Sequence, residues 1–189
     1  MRSQLTITPS GSTPVTVVIS LGANLDSPSG PPEKTFTAAL VELEQLAVAG
    51  VTHSGFYRTR PVDCPPDSPE FLNAAAVFQV EACQDPESIL KALQNIEAHY
   101  GRQRPAGVNA PRSLDLDLIG FGDRVMTGVE LTLPHPRAHE REFVLAPLAE
   151  IAPDLKLPGW PEPAQKLLQL LQQGHEPGAS FGRENDAIC

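Results

Sequence analysis

Two aspartates separated by one leucine lie in the stretch RSLDLDLIGF, residues 112–121. Successive side chains of a β-strand point to opposite faces, so a strand here would place Asp115, Asp117 and Ile119 on one face and the intervening leucines on the other. The two carboxylates would lie about 7 Å apart along the backbone, and their repulsion would cost stability unless a positive group neutralised it. Carboxylates at this spacing can bridge two Mg²⁺ ions about 4 Å apart and so neutralise a polyphosphate during in-line displacement.

The same spacing also fits an edge strand with one solvated acidic face, because D-x-D is a short pattern. Ile119 on the acidic face and the apolar continuation LIGF favour a strand inside a sheet instead. We therefore expect the carboxylates to face a site rather than bulk water.

Positive charge is concentrated around this acidic strand. The chain of 189 residues has a net charge of -9 and a pI near 4.9, which disfavours a long polyanion such as duplex DNA or RNA. Six of the ten arginines nevertheless lie between Arg102 and Arg141. Three of them flank or fill the segment GRQRPAGVNAPR, whose composition fits either a solvated basic loop or a mobile lid that closes on phosphates.

Further polar residues could serve the same site. Gln94 and Glu97 are three residues apart and share one flank of a predicted helix, although a solvated flank is the alternative interpretation. His135 lies in the proline-rich turn LPHPR beside Arg141, which indicates a phosphate donor, whereas His139 is more simply a surface residue. The stretch SLGANL follows a strand but matches no established nucleotide motif.

The elements that must position these groups follow from periodicity and turn signals. The strands are predicted at 14–23, 51–59, 71–80 and from Asp115 onward, and the helices within 29–47, 86–100, 143–155 and 163–174. The order through the aspartate strand is strand, helix, strand, strand, helix, strand. This βαββαβ order predicts an α+β fold, a ferredoxin-like αβ sandwich with an antiparallel sheet and additional C-terminal helices.

The chain ends are predicted to be tails. Residues 1–13 and 174–189 are polar and lack an apolar period, which leaves one domain at 14–173. Within it, the long polar connection RPVDCPPDSPE is a candidate binding loop. Three cysteines without a pairing pattern, no apolar leader and no run of roughly 20 apolar residues predict a cytoplasmic protein.

Taken in order, the motifs resemble the 6-hydroxymethyl-7,8-dihydropterin pyrophosphokinases of folate biosynthesis. The resemblance rests on SLGANL, FYRTRPV, FLNAA, GRQR, PRSLDLDLI, LPHPR and REFVLAPLAEIAPDL, and it covers about residues 15–157. The string PRSLDLDLI followed by LTLPHPR is the most specific part.

The resemblance implies a ferredoxin-like fold and transfer of the β,γ-pyrophosphoryl group of MgATP to the pterin hydroxymethyl oxygen, leaving AMP. It implies that Asp115 and Asp117 hold two Mg²⁺ ions and that Arg102 and Arg104 clamp the transferring group. The residues implied to face the pterin are Thr59, Val62, Phe71, Asn73 and Phe143. The residues implied to contact the nucleotide or its phosphates are Gln94, Glu97, Arg112, Thr132, His135 and Arg141. It further implies a monomer that acts on two small molecules, with no nucleic-acid or membrane partner.

Two other classes of protein remain open from the sequence. A nucleotidyltransferase or nuclease on a similar sheet would also use paired aspartates, but it would require a basic groove that the net charge disfavours. A non-catalytic Mg²⁺ or nucleotide-binding module would need neither Asn73 nor two phenylalanines at one pocket. The lid segment PAGVNAPR also lacks the tryptophan that many members of the family carry there, so its closure would use different contacts.

Overall fold

The computed structural model describes residues 13–60, 69–102, 111–174 and 182–183. The strands are β1 (Val15–Ala23), β2 (Val51–His53), β3 (Tyr57–Thr59), β4 (Phe71–Val80), β5 (Asp115–Phe121), β6 (Met126–Thr127), β7 (Thr132–Leu133) and β8 (Gly182–Arg183). The helices are α1 (Pro32–Glu44), α2 (Pro86–His99), α3 (Glu142–Ile151) and α4 (Ala164–Gly174), with a short 3-10 helix at Ala138–Glu140.

The main sheet is antiparallel and has the strand order β5-β1-β4-β3-β8, with β2 also paired to β4. Strands β6 and β7 form a separate hairpin. The long central strands β1 and β4 pair along the whole of β1, from Val15 opposite Val80 to Ala23 opposite Leu72. The expectation of a mixed α and β fold with an antiparallel sheet is confirmed.

Each face of the sheet carries its own hydrophobic core because side chains alternate along β1, β4 and β5. On one face, residues such as Leu21 and Leu116 pack with apolar residues of α1 and α2. On the other face, Val18, Ala75 and Ile119 pack with apolar residues of α3 and α4. The predicted alternation of β5 is therefore confirmed, and the aspartates lie on the face of α3 and α4.

Helix α2 forms as its sequence predicts. The Asp85 side chain caps its start by accepting a hydrogen bond from the Ser88 backbone N–H at 2.7 Å, and Pro86 occupies the first turn. Ile89 and Leu93 are buried against the sheet. This packing brings Glu97, one turn later, to the edge of β5.

The expectation of one continuous strand at 51–59 is wrong. The segment is divided into β2 and β3, which both pair with β4. Ser54 lies between them, and its hydroxyl accepts a hydrogen bond from the Ala75 N–H at 3.0 Å and donates one to the Gly55 carbonyl at 2.7 Å. A side chain that bonds the backbone in place of a ladder partner interrupts the strand at this point.

The expectation that the aspartate strand is interior is also wrong. In the described part of the sheet β5 is the terminal strand, beyond β1. It is buried all the same, because its open edge is covered: the Leu116 N–H donates to Glu97 Oε1 at 2.8 Å, and the Ile119 carbonyl accepts from the His135 N–H at 2.9 Å. A covered edge permits the apolar sequence LIGF that suggested an interior position.

The predicted tails are mostly outside the described residues. Of the predicted C-terminal tail, Gly182–Arg183 forms β8, which pairs with β3. Among the described residues, no helix is both long enough and apolar enough to span a membrane.

Candidate active site

A row of residues crosses four strands of the main sheet on the face of α3 and α4. Gly22 of β1 lies opposite Asp115 of β5 on one side and opposite Asn73 of β4 on the other, and Asn73 in turn lies opposite Tyr57 of β3. In the next row, Ser20 separates Asp117 from Ala75. The strand register therefore brings together residues that are distant in sequence, with small residues between the polar ones.

Asp115 is held by two arginines. The guanidinium of Arg102 donates to its Oδ1, and that of Arg112 donates to its Oδ2. Burial acts to raise the pKa of the Asp115 carboxyl, but the charges and hydrogen bonds of Arg102 and Arg112 outweigh it, so the pKa lies below its ordinary value. Asp115 is accordingly ionised at neutral pH.

Asp117 lies in a different environment. Burial, followed by the neighbouring charge of Asp115, raises the pKa of Asp117 to about 6. Within the described part of the chain, the arginine ion pairs form to Asp115 and not to Asp117. The two arginines thus neutralise Asp115 but not Asp117. A cation bound at Asp117 would stabilise its ionised form.

Glu97 joins α2 to this site. Its side chain is 2% exposed, and its Oε1 accepts from the Leu116 backbone N–H at 2.8 Å and from Arg102 Nη1 at 2.7 Å. A buried carboxylate that accepts hydrogen bonds from two groups holds both of those groups in position. Glu97 therefore orients Arg102 towards Asp115.

His135 and Arg141 approach the aspartates from the segment after β7. Burial, and then the charge of Arg141, lowers the pKa of His135, which is therefore neutral at pH 7. Burial and the charge of Arg137 lower the pKa of Arg141, while Asp117 acts in the opposite direction. The Leu133–Pro134 peptide bond just before the histidine is cis.

Four of the five residues predicted to bind a pterin are among the described residues: Thr59, Phe71, Asn73 and Phe143. Asn73 Nδ2 donates to Thr59 Oγ1 at 2.8 Å, and both side chains are buried. The Phe71 ring lies 5.8 Å from the Arg112 guanidinium carbon, and the Phe143 ring lies 5.5 Å from that of Arg141. These distances are those of cation–π contacts.

The other predicted site residues are distributed as follows. Gln94 lies on α2, one turn before the buried Glu97. Thr132 begins β7, and its hydroxyl donates to the Gly128 carbonyl at 3.3 Å. Arg104 and Val62 lie outside the described residues. The roles given to all these residues remain predictions.

The structure also reveals residues at the site to which the sequence reasoning gave no role. Asn24 Oδ1 accepts from the Arg112 N–H at 2.8 Å, and the Asn24 N–H donates to the Arg112 carbonyl at 3.0 Å. On α3, Glu150 Oε2 accepts from the Tyr57 hydroxyl at 2.8 Å and from the Gly55 N–H at 3.2 Å. The motifs that carry the family resemblance include all of these residues. Membership of those motifs was the signal in the sequence that could have indicated Gly22, Asn24, Tyr57 and Glu150.

The donor set suits Mg²⁺. Two carboxylates share one face of β5, and Mg²⁺ is commonly bound by one or two carboxylates together with substrate phosphates. Among the described residues, no group of three or more His, Cys, Asp or Glu could hold a metal by itself. Two carboxylates on one face would hold Mg²⁺ together with the oxygens of a polyphosphate.

An antiparallel α/β domain with paired aspartates at its sheet edge, arginines around them and a histidine nearby defines a class of domains suited to transfer of a phosphate-containing group. Within that class, the family model described as 7,8-dihydro-6-hydroxymethylpterin-pyrophosphokinase matches residues 18–153. The chain belongs to this family.

Curated relatives are similar over most of the chain. The chain is 38% identical over 160 residues to 2-amino-4-hydroxy-6-hydroxymethyldihydropteridine pyrophosphokinase of Haemophilus influenzae, covering 84% of this chain and 92% of that protein. It is 39% identical over 134 residues to the Bacillus subtilis protein of the same name, covering 70% and 75%.

Solved structures share the fold. Plasmodium falciparum HPPK-DHPS, in a crystal structure with pteroate, matches with a TM-score of 0.66 at 12% identity, over 90% of this chain and 48% of that chain. The chain thus spans about half the length of the structures it resembles.

Proposed function

We propose that this protein transfers the pyrophosphoryl group of ATP to the hydroxymethyl group of 6-hydroxymethyl-7,8-dihydropterin, giving AMP and the pterin pyrophosphate in folate biosynthesis. The observation that carries the proposal is the row from Asp115 through Gly22 to Asn73, which sets a carboxylate for the phosphate side next to an amide for the pterin side. Family membership supports the same reaction.

On the phosphate side, Asp115 and Asp117 would hold two Mg²⁺ ions that neutralise the charge of the polyphosphate when bound. Arg102, Arg112 and Arg141 would donate to the phosphate oxygens, and neutral His135 could offer an N–H donor. Such transfer requires alignment and charge neutralisation rather than a nucleophile from the protein. The family resemblance assigns three further residues to the nucleotide: Gln94, Glu97 and Thr132. It also assigns Arg104 to the transferring group. Glu97, through its bond to Arg102, would also act as a positioning residue.

On the pterin side, Asn73 would read the polar edge of the ring while its bond to Thr59 holds the amide in one orientation. Phe71 and Phe143 would stack on the two faces of the ring, and Val62 would complete the pocket. The arginines that now contact the two rings are the same ones that would move to the phosphates.

We assign the sheet to the ferredoxin-like class because the order β5-β1-β4, with β2 and β3 beyond β4, follows from a βαββαβ chain. Residues 14–173 would form a single domain that works as a monomer on small molecules, with no nucleic-acid or membrane partner. Its proposed location is the cytoplasm.

The test is an analysis of products from ATP, MgCl₂ and 6-hydroxymethyl-7,8-dihydropterin. We expect AMP and the pterin pyrophosphate in equal amounts, with no AMP when either the pterin or the metal is omitted. Formation of ADP, or ATP consumption that does not depend on the pterin, would contradict the proposal. The Asp117→Ala variant should produce no AMP while retaining its circular dichroism spectrum.

A further inference from the structure

The row of Asp115, Gly22 and Asn73 joins the phosphate side of the proposed site to its pterin side. At its centre, Gly22 has no side chain, which leaves a gap between the other two. Gly22 is flanked on both sides by residues of the proposed reaction, Asp115 and Asn73, each directly opposite it in the strand register. Neighbouring strands are about 4.8 Å apart, so the two flanking side chains originate about 10 Å from each other. The absence of a side chain at residue 22 leaves the space between them open.

The floor of this gap is made of small residues. Behind Gly22, the next row has Ser20 between Asp117 and Ala75. Gly22 itself is partly exposed, whereas its chain neighbours Leu21 and Ala23 are fully buried in the core on the opposite face. The open side of Gly22 is therefore the side that faces the candidate active site.

The orientation of Asn73 gives the gap a chemical preference. Because Asn73 Nδ2 donates to Thr59, its Oδ1 is left to face Gly22: a Cβ built on Gly22 would lie 3.7 Å from that oxygen. The same Cβ would lie 3.8 Å from the Cβ of Asp115. A ligand in the gap would meet a hydrogen-bond acceptor on one side and a carboxylate, with its cations, on the other.

We propose that Gly22 is a specificity-determining residue, whose missing side chain forms the slot in which a flat, N–H-donating ring lies between Asn73 and the phosphate-transfer site. The proposal rests on the proposed function and adds to it the residue that sets the width of the acceptor pocket. A side chain at this position would occupy space that the ring requires.

The geometry separates this role from a structural one. Contacts of 3.7 and 3.8 Å are ordinary van der Waals distances, and Gly22 does not adopt the positive φ that would require glycine. A methyl group is therefore accommodated by the protein alone. Since alanine restricts the unfolded chain more than glycine does, Gly22→Ala should fold at least as stably as the parent protein.

The test compares Gly22→Ala and Gly22→Val with the parent protein. We expect the KM for the pterin to rise at least about tenfold in Gly22→Ala and further in Gly22→Val, as the added atoms displace the ring. The dissociation constant for a nonhydrolysable ATP analogue with MgCl₂ should stay within about twofold, and the thermal midpoint of Gly22→Ala should not fall. Gly174→Ala, at the exposed end of α4 where an added Cβ has no neighbour within 4 Å, is the control and should leave the pterin KM and the dissociation constant of the analogue unchanged.

The outcomes distinguish this inference from the proposed function. An active parent protein whose Gly22→Ala variant keeps the parental pterin KM would overturn the slot and leave the function standing. A lowered thermal midpoint, or an equal loss of nucleotide-analogue affinity, would also overturn it, because either would indicate a structural role. A parent protein that makes no pterin pyrophosphate would overturn both proposals together.

Discussion

At the scale of single residues, Asp115 and Asp117 are chemically identical groups, two positions apart, whose pKa values are shifted in opposite directions. The two arginines hold Asp115 as the anion, whereas burial and the charge of Asp115 raise the pKa of Asp117 to about 6. The free energy of unfolding should therefore respond oppositely when each charge is removed in the absence of metal.

Asp117→Asn should stabilise the metal-free protein at pH 7.5, by a rise in thermal midpoint of about 2 °C or more. The folded-state pKa of about 6 lies above the value of 3.8 for an unperturbed carboxyl, so folding disfavours the ionised form. The contribution that Asp117 makes as the neutral acid is complete below pH 3.8 and is lost as the pH rises through 6. The advantage of asparagine should thus be present above pH 6 and vanish towards pH 4, as measured by thermal unfolding in EDTA.

Asp115→Asn is the matched control and should lower the thermal midpoint at pH 7.5. In the parent protein the folded-state pKa of Asp115 is depressed, so the contribution of Asp115 to stability is present above pH 3.8. That contribution is lost only as the pH falls through the lower folded-state value. Both variants should fail to form AMP. Shifts of the same sign in the two variants would contradict the assignment of the charge to Asp115.

Arg102→Ala should reduce kcat by about 100-fold while changing the dissociation constant of a nonhydrolysable ATP analogue by less than about threefold. Arg102 is oriented by Glu97 at the acidic pair, where it would act on the charge that develops during transfer. Steady-state kinetics and equilibrium binding measure the two quantities. Arg124→Ala, after the opposite end of β5, should leave both unchanged, and a pure KM effect in Arg102→Ala would contradict the role.

At the scale of elements, α3 carries a residue of the proposed pterin pocket near its start and a link to β3 near its end. Phe143 lies in its first turn, and Glu150 near its last turn accepts hydrogen bonds from Tyr57 and Gly55. Tyr57 lies opposite Asn73 in the strand register. The link between α3 and β3 thus contributes to the position of Thr59 and Asn73 relative to Phe143.

Glu150→Ala should raise the pterin KM by about two- to tenfold, since the hydrogen bond from Tyr57, which lies opposite Asn73, contributes about 0.5–1.5 kcal/mol net. The nucleotide affinity should not change, because the link lies on the far side of Asn73 from the aspartates. Glu150→Gln retains an acceptor and should recover part of the loss, while Glu162→Ala, an exposed carboxylate in the loop before α4, should have no effect. An equal effect of Glu150→Ala and Glu150→Gln on KM would indicate that the charge, rather than the acceptor, is what matters.

The elements also show where sequence reasoning succeeds and where it stops. The helix α2 was predictable because its cap, first-turn proline and apolar stripe are all local signals. The division of β2 from β3 was not, because it depends on the Ser54 hydroxyl meeting the N–H of Ala75 on another strand. The position of β5 at the edge was missed because Glu97 and His135, from distant segments, cover that edge.

The same distinction holds within the site. The aspartates and their common face were predictable from a two-residue period, and the roles of most other site residues came from the family resemblance. Gly22 could not be placed between Asn73 and Asp115 from the sequence, because the register of β1 with both neighbours decides it. Nor does spacing alone indicate that Arg102 and Arg112 both pair with Asp115 and leave Asp117 to other cations.

At the scale of the whole molecule, the acidic net charge and the basic site have to be reconciled. A net charge of -9 repels ATP at long range, so binding depends on the short-range cluster of arginines and on cations at the aspartates. Two of those arginines also lie near aromatic rings, Arg112 near Phe71 and Arg141 near Phe143. Each of the two rings proposed to stack on the pterin thus lies near a group that the nucleotide would attract.

This coupling predicts an order of binding. A nonhydrolysable ATP analogue with MgCl₂, at about 100 times its dissociation constant, should raise the thermal midpoint by about 5 °C or more. The pterin alone should raise it little, and it should add a further increase once the analogue is present, because the phosphates draw Arg112 and Arg141 away from the two rings. Thermal unfolding with each ligand alone and with both together measures the effect.

The variants Phe71→Leu and Phe143→Leu test whether the same two rings bind the pterin. Each removes the ring under one arginine, so each should weaken the additional increase produced by the pterin while leaving the increase produced by the analogue intact. If the pterin stabilised the parent protein equally with and without the analogue, the arginines would not be gating the rings. Binding of the nucleotide and binding of the pterin would then be independent, although the two sites are neighbours on either side of Gly22.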